Sequence, residues 1–232
     1  MNFHSNFDSI NVSAVSPDFR LLHPPAHKKS YFKIKRALDL MLVIPAFIIL
    51  SPIMLIVMYL IRKHDGGFPF FVQTRIGLNG REFNCYKFRT MVVDAQKRLD
   101  AVLKSDPIAA AEWEKDQKLK NDPRITKVGQ FLRKTSLDEL PQLWNIIKGE
   151  MSLVGPRPII ENEIPKYGSF FKYYSSVKPG ISGLWQINGR NNTTYDERVQ
   201  YDVTYAKTYS FLNDTKILLK TLPAVLLSKG AY

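Results

Sequence analysis

The sequence predicts an α+β protein: a mainly helical domain with one small β-hairpin, anchored by a long apolar segment and by amphipathic surface helices. Three observations carry this. Residues 37–61, ALDLMLVIPAFIILSPIMLIVMYLI, hold a single charged residue, Asp39. Asn79-Gly80 stands between two short runs rich in aromatic residues, which is a strong hairpin signature. Beyond them, apolar residues recur mainly at helical spacing, punctuated by prolines and by Asn/Asp clusters.

The elements follow in chain order. Met1–Pro25 mixes Asn, Ser, Asp and Pro without a hydrophobic period, so residues 1–29 are expected to be a poorly ordered lead. The apolar segment begins too late, and lacks the small-residue cleavage site, for a signal peptide. A membrane element is expected over 30–63 and a cytoplasmic domain over 64–232. At about 1.5 Å per residue, segment 37–61 is long enough to cross a hydrocarbon core of roughly 30 Å.

Two features oppose a straight span. Basic residues flank both ends, Lys28 to Arg36 before and Arg62, Lys63, Arg75 and Arg81 after, whereas retained Lys and Arg ordinarily mark one side only. Ser51-Pro52 lies near the middle, with Pro45 before it. A proline there removes a donor and clashes with the preceding turn, so the helix must bend or break. A helix that enters, turns at Ser51-Pro52 and returns to the same face satisfies both. The residues alone leave this hairpin and the straight span open, with a buried soluble helix as a third form.

Phe70–Val72 and Arg81–Arg89 form the two strands around Asn79-Gly80. By the period-two rule Phe83, Cys85, Lys87 and Arg89 share one face of the second strand. Residues 92–120 read as two helices, because Asp106-Pro107 supplies an N-cap and a proline at the first helical position. Asn121-Asp122-Pro123 makes a turn, and Ile125–Lys134 resumes a helical pattern.

The richest stretch is LRKTSLDELPQLWNIIKGEMSLVGPRP, residues 132–158. Ser136 and Glu139 have the spacing of a capping box. Pro141 is awkward inside a helix that starts at Ser136, so the helix alternatively starts near Leu140 and leaves Asp138 and Glu139 on the preceding loop. In either form the acids lie at a helix N-terminus, where free N–H groups lower a carboxyl pKa and welcome phosphate. Arg133, Arg157 in the stiff Pro156-Arg157-Pro158, and Lys87 and Arg89 of the hairpin supply cations. An arginine fork matches phosphate oxygens. Two carboxylates among arginines also suit Mg²⁺ held by Asp138 and Glu139 with diphosphate oxygens.

Lys178-Pro179-Gly180 and Trp185–Arg190 read as loops. Near the C-terminus, Ile217, Leu218, Leu219, Leu222, Val225, Leu226 and Leu227 alternate with Lys216, Lys220 and Lys229. That pattern fits either an interfacial helix or a helix that closes the core.

Composition narrows the classes. The chain has 232 residues, 45% of them hydrophobic, enough for one large core and too many for disorder. Lys and Arg number 33 against 21 Asp and Glu, a net charge of +12, which asks for an anionic partner. With a membrane segment present, anionic lipid or phosphate answers that need more simply than nucleic acid. Cys85 is the only cysteine, which excludes an internal disulfide framework and fits a reducing compartment. The four histidines, His4, His23, His27 and His64, lack zinc-ligand spacing. A membrane-anchored adaptor without catalysis, and a phosphohydrolase, are the competing functions.

KRALDL, the apolar segment with Ser51-Pro52, FVQTRIGLNGREFNCYKFRTM, the 132–158 stretch, KPGISGLWQINGRN and the ending DTKILLKTLPAVLLSKGAY together resemble the bacterial monotopic phosphoglycosyl transferases over about residues 30–232. The set looks most like the exopolysaccharide galactosyl-phosphate transferases. The resemblance implies the re-entrant helix, a site on the cytoplasmic face of the bacterial inner membrane, and Mg²⁺ as cofactor. It implies transfer of hexose-1-phosphate, galactose-1-phosphate or alternatively glucose-1-phosphate, from a UDP-hexose to polyprenyl (undecaprenyl) phosphate. The family's acidic dyad falls on Asp138-Glu139, with Asp138 as covalent nucleophile. Arg133, Arg157, Lys87 and Arg89 match basic positions of the family motifs. Oligomeric state is left open.

Overall fold

The computed structural model describes residues 26–116, 119–188 and 193–226. The lead expected over residues 1–29 lies outside the described residues up to residue 25, and residues 26–29 instead open a helix. The end of the WQINGRN segment and the Gly230-Ala231-Tyr232 ending also lie outside the described residues. The fold is mainly helical, as expected, with the predicted hairpin and a second two-stranded sheet that local patterning did not predict.

Helix α1 spans Ala26–Asp65 with Pro45 and Pro52 inside it. No break divides it at Ser51-Pro52. The Ser51 hydroxyl donates to Ile48 O at 2.7 Å, and that carbonyl is the one Pro52 lacks an N–H to bond. One stripe of α1 is covered: Lys35, Asp39, Val43, Met54, Val57 and Ile61 are buried, with Phe47 and Leu50 packed beside them. The opposite side leaves Met41, Leu42, Ile48, Ile49, Ile53, Leu55, Ile56 and Tyr59 exposed. The lone charge, Asp39, is not left in an apolar setting. It accepts from Ser152 Oγ at 2.7 Å and Leu153 N at 3.3 Å, which offsets the cost of burying it.

Strands β1 (Phe70–Ile76) and β2 (Glu82–Phe88) pair antiparallel, Phe70 with Phe88 and Ile76 with Glu82. Asn79 and Gly80 take φ of 58° and 70° at the turn, the left-handed region that Asn and Gly tolerate best. Phe83 and Cys85 bury one face against Val43, Leu143 and Ile146, while Phe88 buries the other against Met54, Val57 and Leu132.

Helices α2 (Ala95–Ser105) and α3 (Pro107–Asp116) form the expected pair. Asp106 Oδ1 accepts from the backbone N–H groups of Ile108 and Ala109, a working N-cap. Helix α4 spans Lys127–Thr135 with Thr126 as its cap. A short 3-10 turn, Leu137–Glu139, precedes α5 (Gln142–Lys148). Ser136 makes no side-chain cap and instead ends α4 at φ 57°, so the capping box does not form and the acids sit ahead of the helix. Gly149, at φ 85°, ends α5. Arg36 of α1 donates to the carbonyls of Ile146 and Ile147 at that end.

Strand β3 (Ser152–Val154) is followed by α6 (Ile164–Tyr167), α7 (Phe171–Tyr174) and β4 (Gly180–Ser182), which pairs parallel with β3. Glycines let these segments close: a Cβ on Gly155 would stand 2.2 Å from Lys178 O, and one on Gly183 2.2 Å from Gly155 O. The segments expected as loops are therefore partly ordered structure. Gly180 opens β4, and Trp185 lies on α8 (Leu184–Asn188). Helix α9 (Tyr195–Thr208) carries Val199 and Val203 into a core with Ile76, Ile159, Tyr167, Phe171 and Tyr174.

The last element, α10, spans Phe211–Leu226. Ile217 is buried with Val154, Val177 and Tyr205, and Asp214 accepts from Lys35 Nζ at 2.5 Å and Tyr205 OH at 2.9 Å. Leu212 and Leu219 point outward. Helix α10 thus closes the core on one side and keeps an exposed apolar side; Leu227 and Lys229 fall outside the described residues.

Candidate active site

The site is built where the hairpin, the 3-10 turn and the segment after β3 converge. One cleft is lined by Arg75, Cys85, Lys87, Glu139, Gln142, Arg157, Pro158, Gly180 and Ile181. Each wall has a local cause. Strand alternation puts Lys87 on the side of Cys85. The left-handed Ser136 and then Pro141 hold the acids in a short turn between two helices. Arg157 is fixed through its neighbours: Gly180 N donates to Pro156 O at 2.8 Å and Arg75 Nη1 to Pro158 O at 2.9 Å.

Glu139 is held by cations. Lys87 Nζ donates to its Oε1 at 2.7 Å, and Arg157 Nη1 lies 3.5 Å from the same oxygen. Asp138, partly buried, accepts no hydrogen bond among the described residues. Its carboxyl is pushed up to about 6, by burial first and by the adjacent Glu139 charge second, against the pull of Lys87, Arg133 and Arg157. This reverses the expectation of a lowered pKa at a helix N-terminus. Desolvation and a like charge outweigh the dipole of a helix as short as α5.

Arg133 faces this turn electrostatically, while its Nε donates to Thr90 Oγ1 at 2.9 Å. Arg89 is elsewhere: β2 ends at Phe88, and the Arg89 guanidinium makes two 2.5 Å bonds to Asp65 at the end of α1. Ser51 and Pro52 lie on α1 and are not among the lining residues. So Glu139, Lys87 and Arg157 come together in the cleft lining, while Asp138 is not among the lining residues and meets Lys87, Arg133 and Arg157 through their charges. Arg75 and Gln142 line the cleft without having been singled out from the sequence. Arg75 was within reach of the hairpin logic, because it pairs with Phe83 and residues directly opposite share a face.

No group of three or more His, Cys, Asp or Glu stands together among the described residues. Asp138 and Glu139 could supply two carboxylates to a divalent cation, with ligand oxygens completing its shell, the way Mg²⁺ is ordinarily held at phosphate sites. Asp138, whose carboxylate accepts no hydrogen bond among the described residues, fits that donor set. A carboxylate without a hydrogen bond, beside an acid clamped by Lys and Arg at a basic cleft, has the chemistry a phosphorus-attacking group needs, with cations at hand for the phosphate oxygens.

A family profile described as "Bacterial sugar transferase" matches residues 30–228. The chain is 51% identical over 199 residues to the UDP-galactose-lipid carrier transferase of Erwinia amylovora, covering 86% of this chain and 42% of that protein. It is 52% identical over 205 residues to the undecaprenyl-phosphate galactose phosphotransferase of Salmonella typhimurium, covering 88% and 43%. It is 48% identical over 224 residues to the exopolysaccharide production protein ExoY of Rhizobium meliloti, covering 97% and 99%. The chain thus spans less than half of the first two relatives and nearly all of the third.

Proposed function

The chain belongs to the bacterial sugar transferase family, and on that premise we propose that it is a phosphoglycosyl transferase of exopolysaccharide or O-antigen synthesis. It moves hexose-1-phosphate from a UDP-hexose to polyprenyl phosphate. The carrying observation is the Asp138-Glu139 turn, with Lys87 and Arg157 on Glu139 and the Asp138 carboxylate free of hydrogen bonds among the described residues.

The reaction runs in two displacements. An Asp138 oxygen attacks the β-phosphorus of UDP-hexose, the bond to the bridging oxygen breaks, and UMP leaves with that electron pair. An oxygen of polyprenyl phosphate then attacks the same phosphorus and expels Asp138, giving polyprenyl diphosphate hexose. Lys87 and Arg157 hold the oxygens that gain charge, and Arg133 keeps Asp138 partly ionised. Glu139 orients Lys87 and Arg157. When bound, Mg²⁺ adds neutralisation of diphosphate charge, with Asp138 and Glu139 as its protein donors.

The membrane reading is monotopic, with both ends of α1 on the cytoplasmic side of the inner membrane. Its support is that the covered stripe of α1 extends from Lys35 to Ile61, about 39 Å at 1.5 Å per residue. A helix crossing the bilayer in that state would carry the domain into hydrocarbon. The exposed apolar side of α1 is too large for water and suits lipid. Galactose is the preferred hexose, because relatives named for galactose transfer are 51% and 52% identical to this chain against 37% for one named for glucose-1-phosphate transfer; glucose is the alternative.

The test is UMP release from UDP-galactose and UDP-glucose, with and without polyprenyl phosphate. One UMP per enzyme without the lipid and continuous release with it are expected, faster from UDP-galactose. Faster transfer from UDP-glucose reverses the sugar assignment alone. Continuous release into water identifies a phosphohydrolase, and no release from any donor leaves the adaptor.

A further inference from the structure

Arg157 is fixed at its backbone by Arg75 on Pro158 O and by Gly180 N on Pro156 O. Its side chain, 33% exposed, is not fixed by those bonds, and its torsions decide whether the guanidinium reaches the Asp138-Glu139 turn. The surface beneath it is Trp185 on α8. The Arg157 guanidinium stands 5.7 Å from the Trp185 ring centroid, within the range of a cation over an aromatic face.

Trp185 is itself held. Its indole Nε1 donates to Thr193 Oγ1 at 2.7 Å. A second guanidinium, that of Arg198, lies 5.1 Å from the ring. Arg198 is buried, ion-paired to Glu163 at 3.1 Å and 5.1 Å from the Tyr195 ring. The ring is thus pinned by the start of α9 and by a cation with little room to move, and it presents a fixed surface to the more exposed Arg157.

We propose that Trp185 is the positioning residue for Arg157, holding its guanidinium beside Glu139 so that the phosphate fork is in place before substrate arrives. This rests on the transferase reading above. Trp185 does not touch the reacting atoms; its effect passes through Arg157 alone.

A double-mutant cycle on the full chain tests this. Trp185→Leu removes the aromatic face and Trp185→Phe keeps it. Each is measured alone and with Arg157→Ala for kcat and KM of UMP release, with thermal unfolding as the control for folding. With Arg157 present, Trp185→Leu is expected to lower kcat/KM about fivefold to tenfold, the order of one lost cation–π contact, and Trp185→Phe to restore most of it. In the Arg157→Ala background, Trp185→Leu is expected to change kcat/KM less than about twofold, because coupled residues do not add.

Equal losses in both backgrounds overturn the proposal, and so does a Trp185→Phe variant as weak as Trp185→Leu. Trp185→Met replaces the leucine variant if that one unfolds. Wild-type protein that releases no UMP from any UDP-hexose overturns the transferase reading itself, a result distinct from additivity within an active enzyme.

Discussion

Two clusters of charge lie near Arg157 and are wired oppositely. On the turn at the cleft, Glu139 lines the cleft and is tied to Lys87 and Arg157, while its neighbour Asp138 accepts no hydrogen bond among the described residues. Around α9, the acids are tied on every side named: Glu163 takes Arg198, Tyr195 OH and the Ile160 N–H, and Asp202 takes Tyr167 OH at 2.6 Å. Burial raises both Asp138, to about 6, and Asp202, to about 7. The clusters differ in whether a partner is supplied. The α9 cluster uses its groups to hold helices together, whereas the turn at the cleft keeps one carboxylate unbonded, which costs stability and leaves it available for the nucleophilic role proposed above.

The largest expected effect separates these roles. Asp138→Asn removes the proposed nucleophile, so transfer should fall by at least about 10³-fold. The same change should stabilise the fold at pH 7.5 by about 1 kcal/mol. The shift from 3.8 to about 6 at 1.36 kcal/mol per unit sets an upper figure, which solvent screening reduces. The sign follows from proton binding: the folded state holds the Asp138 proton more tightly, so stability falls as pH rises from about 4 to 6 and stays lowered above that. The gain should therefore vanish at pH 4 in denaturant titrations of both proteins. A destabilised, inactive Asp138→Asn variant would mean that Asp138 is a structural acid like Asp202.

Arg157→Lys should lower kcat/KM about 10- to 100-fold, because a point charge replaces a planar fork; unchanged kinetics would return Pro156-Arg157-Pro158 to a purely structural role. The acid limb is next in size. Log kcat/KM for UMP release should fall with unit slope below a pH of about 6, since attack needs the ionised Asp138. A limb near pH 4 would mean that Asp138 is not desolvated in the working enzyme.

The smallest change belongs to the closed cluster. Tyr167→Phe deletes the bond to Asp202 and should cost about 1 kcal/mol in stability, with kcat/KM changed less than about twofold. A larger kinetic effect would show that the α9 cluster communicates with the cleft by more than packing.

Legibility follows the range of each interaction. The hairpin at Asn79-Gly80, the Asp106 cap, the start of α4 and the placement of the acids before Pro141 are set within a few residues, where turn and capping rules act. The β3–β4 pairing joins Ser152 to Gly180, and its short strands carry no period of their own. Trp185 reads as a loop residue because the five-residue α8 is too short to show a helical repeat. Asp39 reads as a stray charge in an apolar run until Ser152, 113 residues away, is brought to it.

Residue identities supply the chemistry available: an acid pair, a stiff Pro-Arg-Pro, a basic strand and an apolar segment with a proline near its middle. Tertiary structure alone decided which cations meet the acids. Lys87 and Arg89 are two residues apart, yet Lys87 reaches Glu139 and Arg89 is taken by Asp65. Tertiary structure also decided that Asp138 is pushed up rather than down, because desolvation depends on what the distant chain packs around a group. Local spacing carries no record of that packing.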